Sequence, residues 1–185
     1  MNLEIIVNDK SIKPKEITEI ISKMLLDNSV AINDLINFAK TAKDSPKASC
    51  IEAIEYATKT NPEIATIECL DFVTETLTEK APRVKWESAR VIGNIAHRFP
   101  ENLDIAINNL IINSEHTGTV VRWSSAYALG QIIITKNENT KYFISTIETI
   151  CEREEKNSIR KIYSDALKKA KSKLKQHISN GLTTY

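Results

Sequence analysis

Residues 84–93 read VKWESARVIG, and residues 121–130 read VRWSSAYALG. In each, Val is followed by a basic residue and Trp, a small Ser-Ala pair comes one position later, and the stretch closes on an apolar residue and Gly. The chain has only two Trp and four Gly. Their recurrence in register, 37 residues apart, marks an internal repeat. Working outward, Pro46 matches Pro82 at a spacing of 36, so Ala53, Ala89 and Ala126 share one column, and Ala57, Gly93 and Gly130 share another. The later segment SIRKIYSDALKKA fits at 38. There Ile159 and Arg160 fall on Val121 and Arg122, and Ala166 and Leu167 fall on Ala128 and Leu129, without the Trp or the Gly. A period in the high thirties, two helices to a unit, is the sequence mark of an α-solenoid.

The punctuation agrees with helices joined by short connections. Pro14, Pro46, Pro62, Pro82 and Pro100 sit where helices should begin, because the N–H that proline lacks has no partner in a first turn. Glu16, Glu63 and Glu101 follow closely, suiting the positive end of the helix dipole. First helices of the units are expected over 31–43, 63–79, 101–113 and 140–154. Second helices are expected over 46–60, 82–98, 119–135 and 157–176, with an additional helix over 14–27. The opening LEIIV leaves three readings open: a short strand, an extended lead-in or a helix. The expected organisation is one all-α domain: a cap at 1–30, about four repeats over 31–176, and a frayed tail at 177–185, with Gly181 ending the last helix.

The stretch VVRWSSAYALGQI resembles the second helix of a HEAT repeat, whose pattern is Val-Arg, two variable positions, Ala-Ala, one variable position, then Ala-Leu-Gly. VKWESARVIGNI follows it with Lys for Arg and Val-Ile for Ala-Leu. The resemblance covers about residues 31–175 and is to the small, bacterial type of HEAT-repeat, armadillo-like solenoid. It implies a right-handed superhelix whose second helices line a concave face. It also implies that Lys85 and Arg122 tie neighbouring repeats through acidic or carbonyl partners. Independently of it, the small column has a packing reason. Gly93 and Gly130 each cost about 1 kcal/mol of helix propensity against Ala, which close approach of adjacent units must offset.

At 100° per residue, Val121, Ser125, Ala128, Leu129, Ile132 and Ile133 share a core-facing arc. So do Val84, Ser88, Val91, Ile92, Ile95 and Ala96. Trp123, Tyr127 and Ile134, flanked by Gln131, fall on the opposite side, as do Trp86, Arg90 and His97, flanked by Asn94. The equivalents in the first unit are Cys50, Ile54, Thr58 and Asn61, and in the last Lys161, Asp165 and Lys169. Stacked, these give a groove with an aromatic and cationic centre, of the residue types enriched at binding hot spots. Two readings of the indoles are open: a clamp for a ligand, or packing between adjacent second helices.

A net charge of +1 hides segregation. Residues 63–79 carry Glu63, Glu68, Asp71, Glu75 and Glu79 with no basic residue. The last helix carries Lys156, Arg160, Lys161, Lys168, Lys169, Lys171, Lys173 and Lys175 against Asp165. Cys50, Cys69 and Cys151 are scattered thiols with no Cys-x-x-Cys pair, so neither zinc nor a disulfide framework is expected. The start, MNLEIIVNDK, lacks the basic and long apolar regions of a secretory leader, and no apolar run approaches the ~20 residues of a membrane span. A cytoplasmic setting is expected.

Catalytic patterns are missing: no phosphate-binding glycine loop, no G-x-S-x-G, no H-E-x-x-H. His97, His116 and His177 lie in different units, and no carboxylate pair lies clearly on the groove, where Glu87 reads as peripheral. The expected function is therefore a non-catalytic scaffold, a monomer without cofactor or metal, that holds a protein or peptide on Trp86, Arg90, Asn94, His97, Trp123, Tyr127 and Gln131. The alternative is a nucleic-acid partner through the basic last helix. In kind, this resembles the HEAT-like alkylpurine DNA glycosylases, although no Asp occupies the groove centre.

Overall fold

The structure, a computed structural model, describes the backbone of residues 3–9, 11–135 and 140–181. Ten α-helices occupy the described residues: α1 (Leu3–Asn8), α2 (Pro14–Leu26), α3 (Ile32–Thr41), α4 (Asp44–Thr60), α5 (Ile67–Thr76), α6 (Pro82–Ile95), α7 (Asp104–Asn113), α8 (Thr119–Thr135), α9 (Thr140–Arg153) and α10 (Asn157–Gly181). Four units, α3–α4, α5–α6, α7–α8 and α9–α10, follow the cap made by α1 and α2. The LEIIV segment is neither strand nor extended. It forms α1, whose Ile6 and Val7 are buried and which packs on α2, α3 and α4. The last helix runs through the expected tail as far as Gly181, and 182–185 lie outside the described residues.

Pro14 and Pro82 open α2 and α6. Pro62 and Pro100 behave differently, starting single 3₁₀ turns at Pro62–Ile64 and Pro100–Asn102. The α-helix is reset after the first of these because Thr66, in extended backbone, accepts a hydrogen bond from Cys69 N and becomes the N-cap of α5. The expected first helices at 63 and 101 therefore begin later, at Ile67 and Asp104.

The second helices α2, α4, α6, α8 and α10 stack directly on one another, whereas the first helices of neighbouring units touch lightly. A stack packed more closely in one layer than the other bends towards the tighter layer, so the second helices line the concave side. Close approach is made where the small column predicts it. At Gly93 the Tyr127 ring and the Ala128 backbone fill the space a Cβ would take, and at Gly130 the neighbours are Ala166 and Ile162 of α10. The core arcs read from the wheel are buried on both α6 and α8. The first unit departs from the expectation: Cys50, Ile54 and Thr58 do not reach the groove but are fully buried, because α4 is covered by α2 and α6. Only Asn61 is exposed. No helix among the described residues is long and apolar enough to cross a membrane.

Candidate binding groove

On the concave layer the structure brings together residues from α4, α6 and α8. Asn94 is buried and sits at the centre of a ladder. Its Nδ2 donates to Glu55 O at 3.1 Å and Thr58 Oγ1 at 3.3 Å, and its Oδ1 accepts from the Tyr127 hydroxyl at 2.7 Å. Three successive second helices are joined through this one amide. The Tyr127 ring lies against Gly93 and stacks in parallel on Trp123 of its own helix, with centroids 6.0 Å apart and planes 3° apart. The stack is thus within α8, between residues one turn apart, and not between Trp86 and Trp123.

The two indoles differ in setting. Trp123 is 39% exposed. Trp86 is half-buried and donates Nε1–H to Glu87 Oε1 at 2.8 Å. Arg90 carries the opposite end of the same network. Its Nη2 lies 2.9 Å from Glu55 Oε1, and its Nη1 lies 3.1 Å from Glu87 Oε2. Glu87 is therefore not peripheral but 3% exposed, and Glu55 is 2% exposed. These two are the carboxylate pair that the sequence reading does not find. A third carboxylate, Glu52, accepts from Thr18 and pairs with Arg83 at 2.8 Å. Burial raises the Glu87 carboxyl above the ordinary carboxylate range against the pull of Trp86 and Arg90, and the nearby charges of Glu52 and Glu55 push it the same way. Burial also raises the Tyr127 phenol, so it remains a hydrogen-bond donor to Asn94. Gln131 is half-buried on α8, and His97 is exposed in the 3₁₀ turn that follows α6.

Lys85 and Arg122 lie away from this surface, at the ends of the first helices. Lys85 Nζ donates to Leu77 O at 2.8 Å and Asn113 Oδ1 at 3.1 Å. Arg122 donates to the His116 and Thr117 carbonyls and to both carboxylate oxygens of Glu154. Each cation thereby joins the C-terminal end of its own unit's first helix to that of the next, where the helix dipole favours positive charge. A cleft of about 350 Å³ lies beside Arg122, lined also by His116, Arg153 and Glu154. Its charges are largely matched within it, Arg122 with Glu154 and Arg153 with Glu115.

Among the described residues no three His, Cys, Asp or Glu converge on a point that could hold a metal. Burial raises the Cys50 and Cys69 thiols to about 12, making them inert packing groups. The side chain of His177 lies outside the described residues.

No protein-family model and no curated protein matches the chain. Solved structures do. A designed armadillo repeat protein in complex with the peptide (KR)4 shares 14% identity at a TM-score of 0.68, over 91% of this chain and 80% of that one. Computationally designed armadillo repeat proteins for modular peptide recognition share 16% identity at 0.69, over 90% and 80%. An engineered protein shares 18% at 0.70, over 92% and 79%. At such identities the likeness establishes the fold, an armadillo-like helical-repeat solenoid.

Proposed function

We propose that the chain is a non-catalytic scaffold that holds an extended peptide, or an extended segment of a protein partner, along its concave face. Trp123 and Tyr127 are the anchor, and Trp86 is its neighbour. The observation that carries this reading is the setting of Trp123. Its indole is exposed on the concave layer, yet it is held in place by the stack on Tyr127, itself fixed by Asn94. A rigid aromatic surface loses little side-chain entropy on binding, and this is how such residues become hot spots. The armadillo-type neighbours, one in complex with a peptide and others designed for modular peptide recognition, support the kind of partner. Glu55 and Glu87 are committed to Arg90 and Trp86 and closed to solvent, which supports an electrostatic role for them over acid–base chemistry.

The test is selection of a random-peptide display library on the wild-type chain, followed by affinity measurement on Trp123→Ala. Trp123 is partly exposed but also stacks on Tyr127, so circular dichroism and melting must first show that the variant is folded at the temperature of the binding measurement. Selected peptides should bind the variant about tenfold more weakly, a loss of about 1.4 kcal/mol. Equal affinity for both proteins overturns the groove. A duplex oligonucleotide that binds with a steep salt dependence and ignores Trp123→Ala would favour the nucleic-acid alternative.

A further inference from the structure

The concave layer is not uniformly charged, and the order of its charges follows the stack. At the α4–α6 junction three carboxylates, Glu52, Glu55 and Glu87, face two guanidiniums, Arg83 and Arg90. One negative charge is left over. Glu55 Oε2 is closed to solvent and has no hydrogen-bond partner, because Arg90 is taken up by Oε1. Buried charge of this kind is screened by salt far less than a surface pair, and Trp86, half-buried and hydrogen-bonded to Glu87, is an aromatic of the type that attracts a cation. The next helix, α8, presents the neutral Trp123, Tyr127 and Gln131.

The sign reverses on α10. This helix stacks on α8 in the same register in which α8 stacks on α6, with Ala166 against Gly130 where Ala128 lies against Gly93. Lys161, Asp165 and Lys169 therefore occupy the positions of Trp123, Tyr127 and Gln131, and all three are exposed. Lys168 takes the register of Gly130, the position that faces the following unit, and is also exposed. Three ammonium groups stand there against the single carboxylate of Asp165, whereas Lys171 and Lys173 are engaged by Glu148 and Ile134 O.

Resting on the groove reading above, we infer that the bound segment is bipolar: a cationic side chain seats over Trp86 and the Glu55–Glu87 pair, and acidic side chains about six residues away seat on Lys161 and Lys169 of α10. The separation follows from geometry. Adjacent helices lie roughly 8–10 Å apart, so two steps from α6 to α10 span about 20 Å. An extended chain covers that distance in about six residues at ~3.3 Å each. Apolar or aromatic residues between the two charged ends would lie on Trp123.

The experiment uses the full chain and three synthetic peptides, read by fluorescence anisotropy at about 0.15 M salt. One peptide carries two Arg, a five-residue uncharged spacer with one aromatic, and two Glu. The others are (KR)4 and an octapeptide of Glu. The bipolar peptide should bind at least tenfold more tightly than either. The double variant Lys161→Glu, Lys169→Glu changes exposed residues and should fold normally. It should lose the bipolar peptide about tenfold and bind (KR)4 more tightly than wild type does. If (KR)4 or the Glu octapeptide binds wild type as tightly as the bipolar peptide, or if the double variant keeps the wild-type ranking, the charge order is wrong while the groove stands. If no peptide binds, or if none weakens on Trp123→Ala, the groove itself is wrong.

Discussion

Arg122→Ala is expected to destabilise the chain by about 3 kcal/mol, the low end for stripping the partner from a buried carboxylate. For a chain of this length that is a fall in Tm of roughly 6–12 °C. Glu154 is 6% exposed, and Arg122 is its ion-pair partner, at 3.0 Å. The same guanidinium also holds the His116 and Thr117 carbonyls, so one truncation leaves the ends of two first helices without their donor. Burial on its own would raise the Glu154 carboxyl. The Arg122 hydrogen bonds, the Lys156 N–H and the Arg122 charge outweigh that and hold it below the ordinary range. A carboxyl depressed on folding contributes stability above its unfolded value, about 4.3, and that contribution is lost as pH falls through the lower folded value. Urea unfolding should therefore show the gap between wild type and Arg122→Ala at its full size at pH 7 and narrowed below about pH 4. A gap that does not change with pH would assign the cost to the two carbonyls instead. Arg122→Lys should recover less than half, because an ammonium cannot span a carboxylate and two carbonyls at once.

Gly93→Ala and Gly130→Ala are expected to part company, although the two glycines are equivalent in the repeat. A Cβ on Gly93 would lie 2.5 Å from Tyr127 Cε1, 2.7 Å from Cδ1 and 3.3 Å from the Ala128 Cα. The ring cannot swing away cheaply, being hydrogen-bonded to Asn94 and stacked on Trp123. Overpacking of this kind costs about 3 kcal/mol, less about 1 kcal/mol of helix propensity gained, for a net loss of about 2 kcal/mol. At Gly130 the nearest atoms are the Ala166 Cβ at 3.3 Å and Ile162 Cγ2 at 3.7 Å. A shift of a few tenths of an ångström accommodates the methyl, and the propensity gain should leave the substitution within about 0.5 kcal/mol of neutral. Chemical denaturation of the two variants side by side checks both, and loss of the Tyr127–Asn94 bond in Gly93→Ala should also show as altered tryptophan fluorescence from Trp123.

The repeat and its core were legible because they rest on local periodicity. The arcs through Val84 and Val121 and the small column at Ala57, Gly93 and Gly130 need only the helix period and the repeat length. The electrostatic centre was not, because the burial of a carboxylate is decided by what covers it. Glu55 and Glu87 look like surface residues until α6 is laid on α4 and Arg90 meets both. One signal was available. Glu52 and Glu55 precede Glu87 and Arg90 by 35 residues each, nearly one repeat, so a Glu in one unit and an Arg in the next were already in facing register. The misplacement of Cys50, Ile54 and Thr58 has the same origin: the wheel says which way a residue points, not whether the neighbouring helix reaches over it.

In a stack where each unit touches only its neighbours, opening can travel inward from an end, one unit at a time. The Asn94 amide alters that picture for the middle of this chain. It is bonded to the backbone of α4 on one side and to a hydroxyl of α8 on the other, so peeling away either helix breaks a buried hydrogen bond of α6 as well as its apolar packing. The three central helices are consequently coupled by a side-chain link as well as by packing, so opening at either boundary of α6 costs more than the loss of nearest-neighbour packing alone.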